Sequence, residues 1–195
     1  MSELKYFLNE LAIKILSFDY FVIRRIIRGY IYHLKYKNVL DVGCGIGSLS
    51  GEFSPKKYFG FDIDRGSIKY AEQQNPKYKY GLSDATSFNL KKKYDLILVA
   101  GVFHHLDVKD VKSSIKKIRS HLSKNGKVII IEAIQPIKSF NILSKFLRSI
   151  DRGHFIRRKK EYQEIISKEL KILKVEEKGG FTFDYASFLA AYKSN

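Results

Sequence analysis

Apolar and polar positions change their period several times along this chain, and each change marks an element. Between residues 37 and 132, short apolar runs alternate with stretches whose apolar side chains recur every three or four positions. Residues 39–42 form a first predicted strand, and 58–64 a second that ends on acidic residues. Residues 78–82 are a third, and the continuous apolar run 94–100 has the pattern of a central strand buried on both faces. Residues 128–132 are a fifth. Between them the spacing predicts a short helix over 48–53, one over 67–74 that Asn75-Pro76 stops, and one over 108–122 carried by Val111, Ile115, Ile118 and Leu122. Asn125-Gly126 reads as a turn into the fifth strand, with the glycine supplying positive φ. Alternating strands and helices call for a parallel sheet covered on both faces.

The flanks read differently. Leu4, Phe7, Leu8, Leu11, Ile15 and Phe18 recur at helical spacing, and Phe21, Val22, Ile26 and Ile27 follow around Arg24, Arg25 and Arg28. Residues 1–36 therefore predict a helical cap, packed on the sheet edge or over a ligand, or else a basic amphipathic surface for a membrane or a greasy substrate. Lys14, Asp19 and Arg24 break every apolar run before it could span a bilayer, and no secretory signal pattern opens the chain. Residues 133–169 read as a helical insertion with a polar break near Asp151-Arg152-Gly153. In residues 170–195, two strand patterns flank Gly179-Gly180 with no room for a crossover helix, so they pair as an antiparallel hairpin.

Composition adds less. At 195 residues the chain suits one domain with a single substantial core, 37–132 forming its ligand-binding part. Cys44 is the lone cysteine, which excludes an internal disulfide and implies a reducing, cytoplasmic setting. The formal charge of +16 raises nucleic acid, anionic lipid and acidic substrates as partners, although the lysines are scattered through every segment rather than gathered in a tail.

The chemistry concentrates where the first strand ends. Asp41-Val42-Gly43-Cys44-Gly45-Ile46-Gly47 is a strand, a glycine loop and the start of a helical pattern. Such a loop lets backbone lie against a ligand, with the amides that open the helix facing it. A dinucleotide fingerprint counted from Gly43 would place glycine at position 48, which is Ser48, and Asp41 before the loop suits a cationic amine better than a pyrophosphate. Asp62 ends the second strand, 21 residues after Asp41, where a carboxylate can accept both hydroxyls of a ribose. Asp64 is the cap of the following helix. Ser83-Asp84-Ala85 follows the third strand and is also a common turn pair. After the fourth strand come Ala100-Gly101-Val102-Phe103-His104-His105-Leu106, on the sheet edge where open α/β folds bind ligands.

In this order and spacing, the features over roughly 37–132 resemble the motifs of the class I S-adenosylmethionine-dependent methyltransferases, small-molecule type. The resemblance implies a doubly wound, seven-stranded, mostly parallel sheet of order 3-2-1-4-5-7-6, its last strand antiparallel. It implies that Asp41, Gly43, Cys44, Gly45 and Gly47 wrap the methionine end of S-adenosylmethionine, that Asp62 and Ile63 hold the ribose, that Asp84 and Ala85 meet the adenine, and that Ala100 completes the site. S-adenosylhomocysteine would be the product, and the acceptor an oxygen or nitrogen of a small molecule.

His104 and His105 are the candidate catalytic bases, histidine being the side-chain type suited to proton transfer near neutrality, with His154 and Tyr162 behind them. No metal site is expected, because the paired histidines lack a carboxylate set. Over 138–160, Lys138, Lys145, Arg148, Arg152, Arg157, Arg158, Lys159 and Lys160 stand against Asp151 alone, as an anion-binding lid or a solvated face. The alternatives are a membrane-surface lipid or quinone methyltransferase, an RNA methyltransferase, and a non-catalytic scaffold of the same fold. Ala100-Gly101-Val102-Phe103 replaces the Asn/Asp-Pro-Pro-Tyr-like motif of amino-methyltransferases acting on bases. This argues against methylation of exocyclic base amines and leaves other RNA targets open, so nucleic acid is a possible but not the favoured partner.

Overall fold

The computed structural model describes residues 18–135, 155–180 and 183–193. Its centre is β4 (Tyr94–Ala100), where Leu96, Ile97, Leu98 and Val99 are all fully buried. Successive side chains of a strand point to opposite faces. Ile97 and Val99 accordingly enter one apolar cluster, and Leu96 and Leu98 another. β5 (Leu122–Ile134) does the same, with Val128 and Ile130 on the first side and Ile129 and Ile131 on the second. Two apolar faces need two layers of cover. Val111, Ile115 and Ile118 of one helix (Val108–His121) and Tyr162, Ile165 and Ile166 of another (Lys159–Ser167) cover the first. Ile23, Ile26, Ile27 and Tyr30 of the N-terminal helix (Phe18–Ile31) cover the second.

In chain order the described helices are α1 (Phe18–Ile31), α2 (Arg65–Gln74), α3 (Val108–His121) and α4 (Lys159–Ser167). The strands are β1 (Val39–Val42), β2 (Tyr58–Asp62), β3 (Lys79–Leu82), β4, β5, β6 (Leu170–Gly179) and β7 (Asp184–Tyr192). They form one sheet of order β3-β2-β1-β4-β5-β7-β6, in which β1, β2, β3, β4 and β5 pair in parallel and β7 runs antiparallel to both β5 and β6. This is the order, and the C-terminal hairpin, that the sequence predicts. α2 starts where Asp64 accepts from the amides of Gly66 and Ser67, so that residue is the expected cap.

Four details differ from the sequence pattern. Residues 48–53 make only a single 3-10 turn, Ser50–Glu52. β5 begins at Leu122, before the expected turn, and Gly126 has no positive φ. That glycine is needed for close approach: a Cβ there would lie 2.7 Å from Leu122 Cδ1 and 3.0 Å from the carbonyl oxygens of Ser123 and Tyr94. α1 covers a face of the sheet rather than its edge, because the apolar side of β1, β4 and β5 would otherwise meet water. No described helix is long and apolar enough to cross a membrane. The first part of the predicted cap and residues 136–154 of the predicted insertion, His154 included, lie outside the described residues.

Candidate active site

Parallel strands in register end at one edge. Val42 of β1 stands beside Phe61 and Val99, and Asp62 beside Leu82. The segments after β1, β2, β3 and β4 therefore open side by side, at the carboxyl ends where ligands bind in such sheets.

The glycine loop after β1 is set by backbone geometry. Gly43, Gly45 and Gly47 adopt φ of +72°, +52° and +75°, a region that side chains disfavour. A Cβ on Gly43 would come within 2.5 Å of Val102 Cγ2, and one on Gly47 within 2.6 Å of Tyr80 Oη. The amides of Gly43 and Cys44 donate to the carbonyl of Phe61 at 2.8 and 2.9 Å, tying the loop to β2. Asp62 continues the tie. Its Oδ2 accepts from the Gly45 amide and its Oδ1 from the Asp64 amide, both at 2.9 Å. A carboxylate oxygen has two lone pairs, so each of these oxygens keeps capacity for a further donor such as a ribose hydroxyl.

Asp41 lies beneath the loop, 2% exposed, and accepts from Tyr58 Oη at 2.7 Å. Burial pushes its carboxyl up to about 7; the Tyr58 hydrogen bond opposes this and the negative charge of Asp62 adds to it. One neutral hydroxyl is a thin supply of donors for a buried carboxylate, and a cation at the loop would complete it. The hydroxyl of Tyr80 lies next to Gly47, and burial pushes it up to about 12 against an opposing interaction with Ser50. These groups fit a ligand with an ammonium end and hydroxyl-rich sugar, as S-adenosylmethionine is.

The Cys44 thiol is pushed well up by burial and by Asp41 and Asp62, which suits a packing role. It sits over Gly60, where a Cβ would meet its sulfur at 2.9 Å. Ile63 is 69% exposed, an apolar side chain left open beside Asp62. Asp84 makes the turn: its Oδ1 accepts from the Thr86 amide at 2.7 Å and hydroxyl at 2.8 Å, with Ala85 half-buried after it. Ala100 is half-buried, and Gly101 after it takes φ +69°.

The segment after β4 holds both candidate histidines. His105 is exposed, and its ring centroid lies 4.1 Å from that of His104. His104 is buried and joined through Nδ1 to Glu132 Oε2 at 2.9 Å. Glu132, fully buried in β5, also accepts from the amides of Val102, Phe103 and His104. Sequence reasoning missed it, although a charge inside the run Val128 to Ile134 was a signal, since a buried charge needs partners. Arg157 was misplaced. It is 7% exposed and donates to the carbonyls of Phe103 and Leu106, so it does not belong to an anion-binding lid. Nothing local separates it from Arg158 and Lys160, which are exposed. Lys138, Lys145, Arg148 and Arg152 lie outside the described residues. Tyr162 is fully buried in the core beside Arg157, and burial pushes its hydroxyl well up, so it is no base for an acceptor. Among the described residues, no group of three His, Cys, Asp or Glu side chains is arranged to hold a metal ion.

A family model described as a methyltransferase domain matches residues 40–128. The ubiquinone biosynthesis O-methyltransferase of Rickettsia akari is 29% identical over 116 residues, 56% of this chain and 45% of that protein. The tRNA U34 carboxymethyltransferase of Campylobacter lari is 31% identical over 123 residues, 56% of this chain and 40% of that protein. The chain thus spans under half the length of these curated relatives. A crystal structure of an S-adenosylmethionine-dependent methyltransferase from Clostridium acetobutylicum superposes with a TM-score of 0.72 at 15% identity, covering 98% of this chain and 100% of that one. With its strand order and a glycine loop tied to Asp62 inside the matched core, the chain has the fold of that structure, and residues 40–128 are similar to a methyltransferase domain.

Proposed function

We propose that this chain transfers a methyl group from S-adenosylmethionine to an oxygen or nitrogen of a small-molecule acceptor. The observation that carries the cofactor half is the glycine loop bonded through the Gly45 amide to Asp62. When bound, the cofactor supplies a sulfonium methyl that is already electrophilic. What remains for the chain is to bind, align and handle one proton. Asp62 accepts the ribose hydroxyls beside its existing bonds, and Asp41 faces the ammonium end from beneath the loop. Ile63 lies with Asp62 at the ribose, Asp84 and Ala85 border the adenine, Ala100 completes the site, and the Gly43, Cys44 and Gly47 backbone lines the methionine side.

On the acceptor side, a carboxylate oxygen of Glu132 can only accept, so Nδ1 of His104 carries the proton of the neutral ring. The other ring nitrogen is then an acceptor, which is the form a general base requires. His105, exposed and in tilted contact with that ring, is the second candidate. The two curated relatives are named for a quinone pathway and for a tRNA nucleoside, so kinship does not choose the acceptor.

The net charge of +16 favours one further reading, in which the acceptor is an RNA. Calorimetric titration with S-adenosylmethionine, followed by a radiolabelled methyl-transfer screen over phenols, amines, carboxylates and transfer RNA, tests both. Turnover of a phenol or amine supports the small-molecule reading. Turnover of RNA alone, with steep salt dependence, replaces it. Binding without any turnover would make the chain a scaffold.

A further inference from the structure

Residues 101–106 carry His104 and are held from two sides by opposite buried charges. Glu132 accepts from the amides of Val102 at 3.0 Å, Phe103 at 2.8 Å and His104 at 3.3 Å, and bonds the His104 ring. From the other side, Arg157 donates through Nη1 to the Phe103 carbonyl at 2.8 Å and through Nη2 to the Leu106 carbonyl at 2.6 Å. Phe103 is thus fixed at both ends of its peptide, by a carboxylate and by a guanidinium. The amide of Phe155 adds a bond to the His104 carbonyl at 3.0 Å.

Two buried charges are a costly way to stabilise a core, since apolar side chains of similar volume often serve as well or better. Here both are directed at one short segment, which indicates placement rather than bulk stability. The guanidinium suits the task. Its planar fork reaches two carbonyls at once, which a lysine ammonium on a flexible stem does not reproduce. Arg157 is also anchored along its own backbone. It bridges in parallel to Ile134, and its carbonyl accepts from the Gln135 amide at 3.3 Å. The chain leaving β5 and the chain entering α4 are therefore locked to each other and to the histidine segment at the same point.

We propose that Arg157 is a positioning residue for the acceptor side of the site: with Glu132 it fixes the backbone of residues 102–106 and, through it, the ring of His104. The inference rests on reading this edge as the methyl-transfer site, but not on which acceptor is used.

The test uses the full chain, ligand-free, labelled with 15N-histidine, with the His104 signals assigned by their loss in H104N. Wild type should show one Nδ1–H tautomer, its ring proton exchanging slowly with water. In R157Q we expect mixed tautomers or ring-proton exchange at least tenfold faster, and in R157K an intermediate effect. A destabilising change on the opposite sheet face, I27A, should leave the His104 signals as in wild type. Unchanged His104 signals in R157Q would overturn the proposal, as would equal changes in I27A, which would mark general loosening. If R157Q does not fold, R157K carries the same comparison: faster exchange supports the role and wild-type behaviour overturns it. S-adenosylhomocysteine titration of the same samples separates this from the site reading. Binding within about threefold of wild type in R157K is expected, whereas no binding by wild type would sink the cofactor assignment and leave the histidine comparison standing.

Discussion

The two segments that meet at the carboxyl edge of the sheet are held in place by different means. The glycine loop after β1 takes its shape from left-handed backbone and is tied by local bonds to the neighbouring strand end, through Phe61 and Asp62. The segment after β4 has one left-handed residue, Gly101, and takes its shape from side chains reaching in from β5 and from the start of α4. The first arrangement belongs to a few consecutive residues and depends on what glycine permits. The second belongs to residues 28 to 54 positions apart and depends on buried charges whose partners lie in that segment. The glycine loop is thus self-contained, while the segment after β4 is coupled to the rest of the fold.

That difference can be broken most severely at Glu132. Replacing it by alanine leaves the buried amides of Val102, Phe103 and His104 and the His104 ring without their acceptor, and we expect a loss of about 3–5 kcal/mol in chemical denaturation. Wild-type stability in this variant would mean that the segment holds its own shape. On the other side, Gly43→Ala forces a Cβ towards Val102 at an unfavourable φ. It should cost about 2 kcal/mol or more in S-adenosylhomocysteine affinity with the fold intact. Affinity unchanged by calorimetry would mean that the loop's conformation is not what binds.

Asp62→Ala removes the tie to Gly45 and, with it, the proposed acceptor for the ribose, an expected loss of about 1–3 kcal/mol in cofactor affinity by calorimetry. The smallest effect sharpens the comparison through pH. Asp41 has its carboxyl raised to about 7 from an ordinary value near 3.8, so over that window the folded state holds a proton that the unfolded chain has released. Its contribution therefore favours folding at low pH and is lost as pH rises through about 7. In Asp41→Asn this slope should vanish. The difference in stability between variant and wild type should move in the variant's favour by on the order of 1 kcal/mol or more between pH 4 and 8. A flat difference would show that Asp41 is not titrating in that range.

The same contrast explains what the sequence made legible. Alternation along β4 and β5, the helical spacing of α3 and the acidic ends of β1 and β2 are local patterns, and the strand order followed once the motifs were recognised in sequence. Gly43, Gly45 and Gly47 announce their backbone because only glycine takes that conformation freely. Arg157 could not be read that way. Its neighbours carry the same charge, and only the return of the chain beside Ile134 separates the buried guanidinium from the exposed ones. Gly126 misled for a related reason, since its need is space against Tyr94 and Leu122, which no turn pattern records. Tyr58 and Tyr80, which line the underside of the glycine loop, read as ordinary strand aromatics until β2 and β3 are placed beside β1.

The central claim is that the glycine loop and Asp62 together form the cofactor site. Calorimetric titration of wild type and Asp62→Ala with S-adenosylhomocysteine, with NADH as control ligand, tests it directly. The account predicts saturable one-site binding of S-adenosylhomocysteine, none of NADH, and a dissociation constant raised about tenfold or more by the substitution. Folded wild-type protein that gives no binding heat, or binding that Asp62→Ala leaves unchanged, would contradict it.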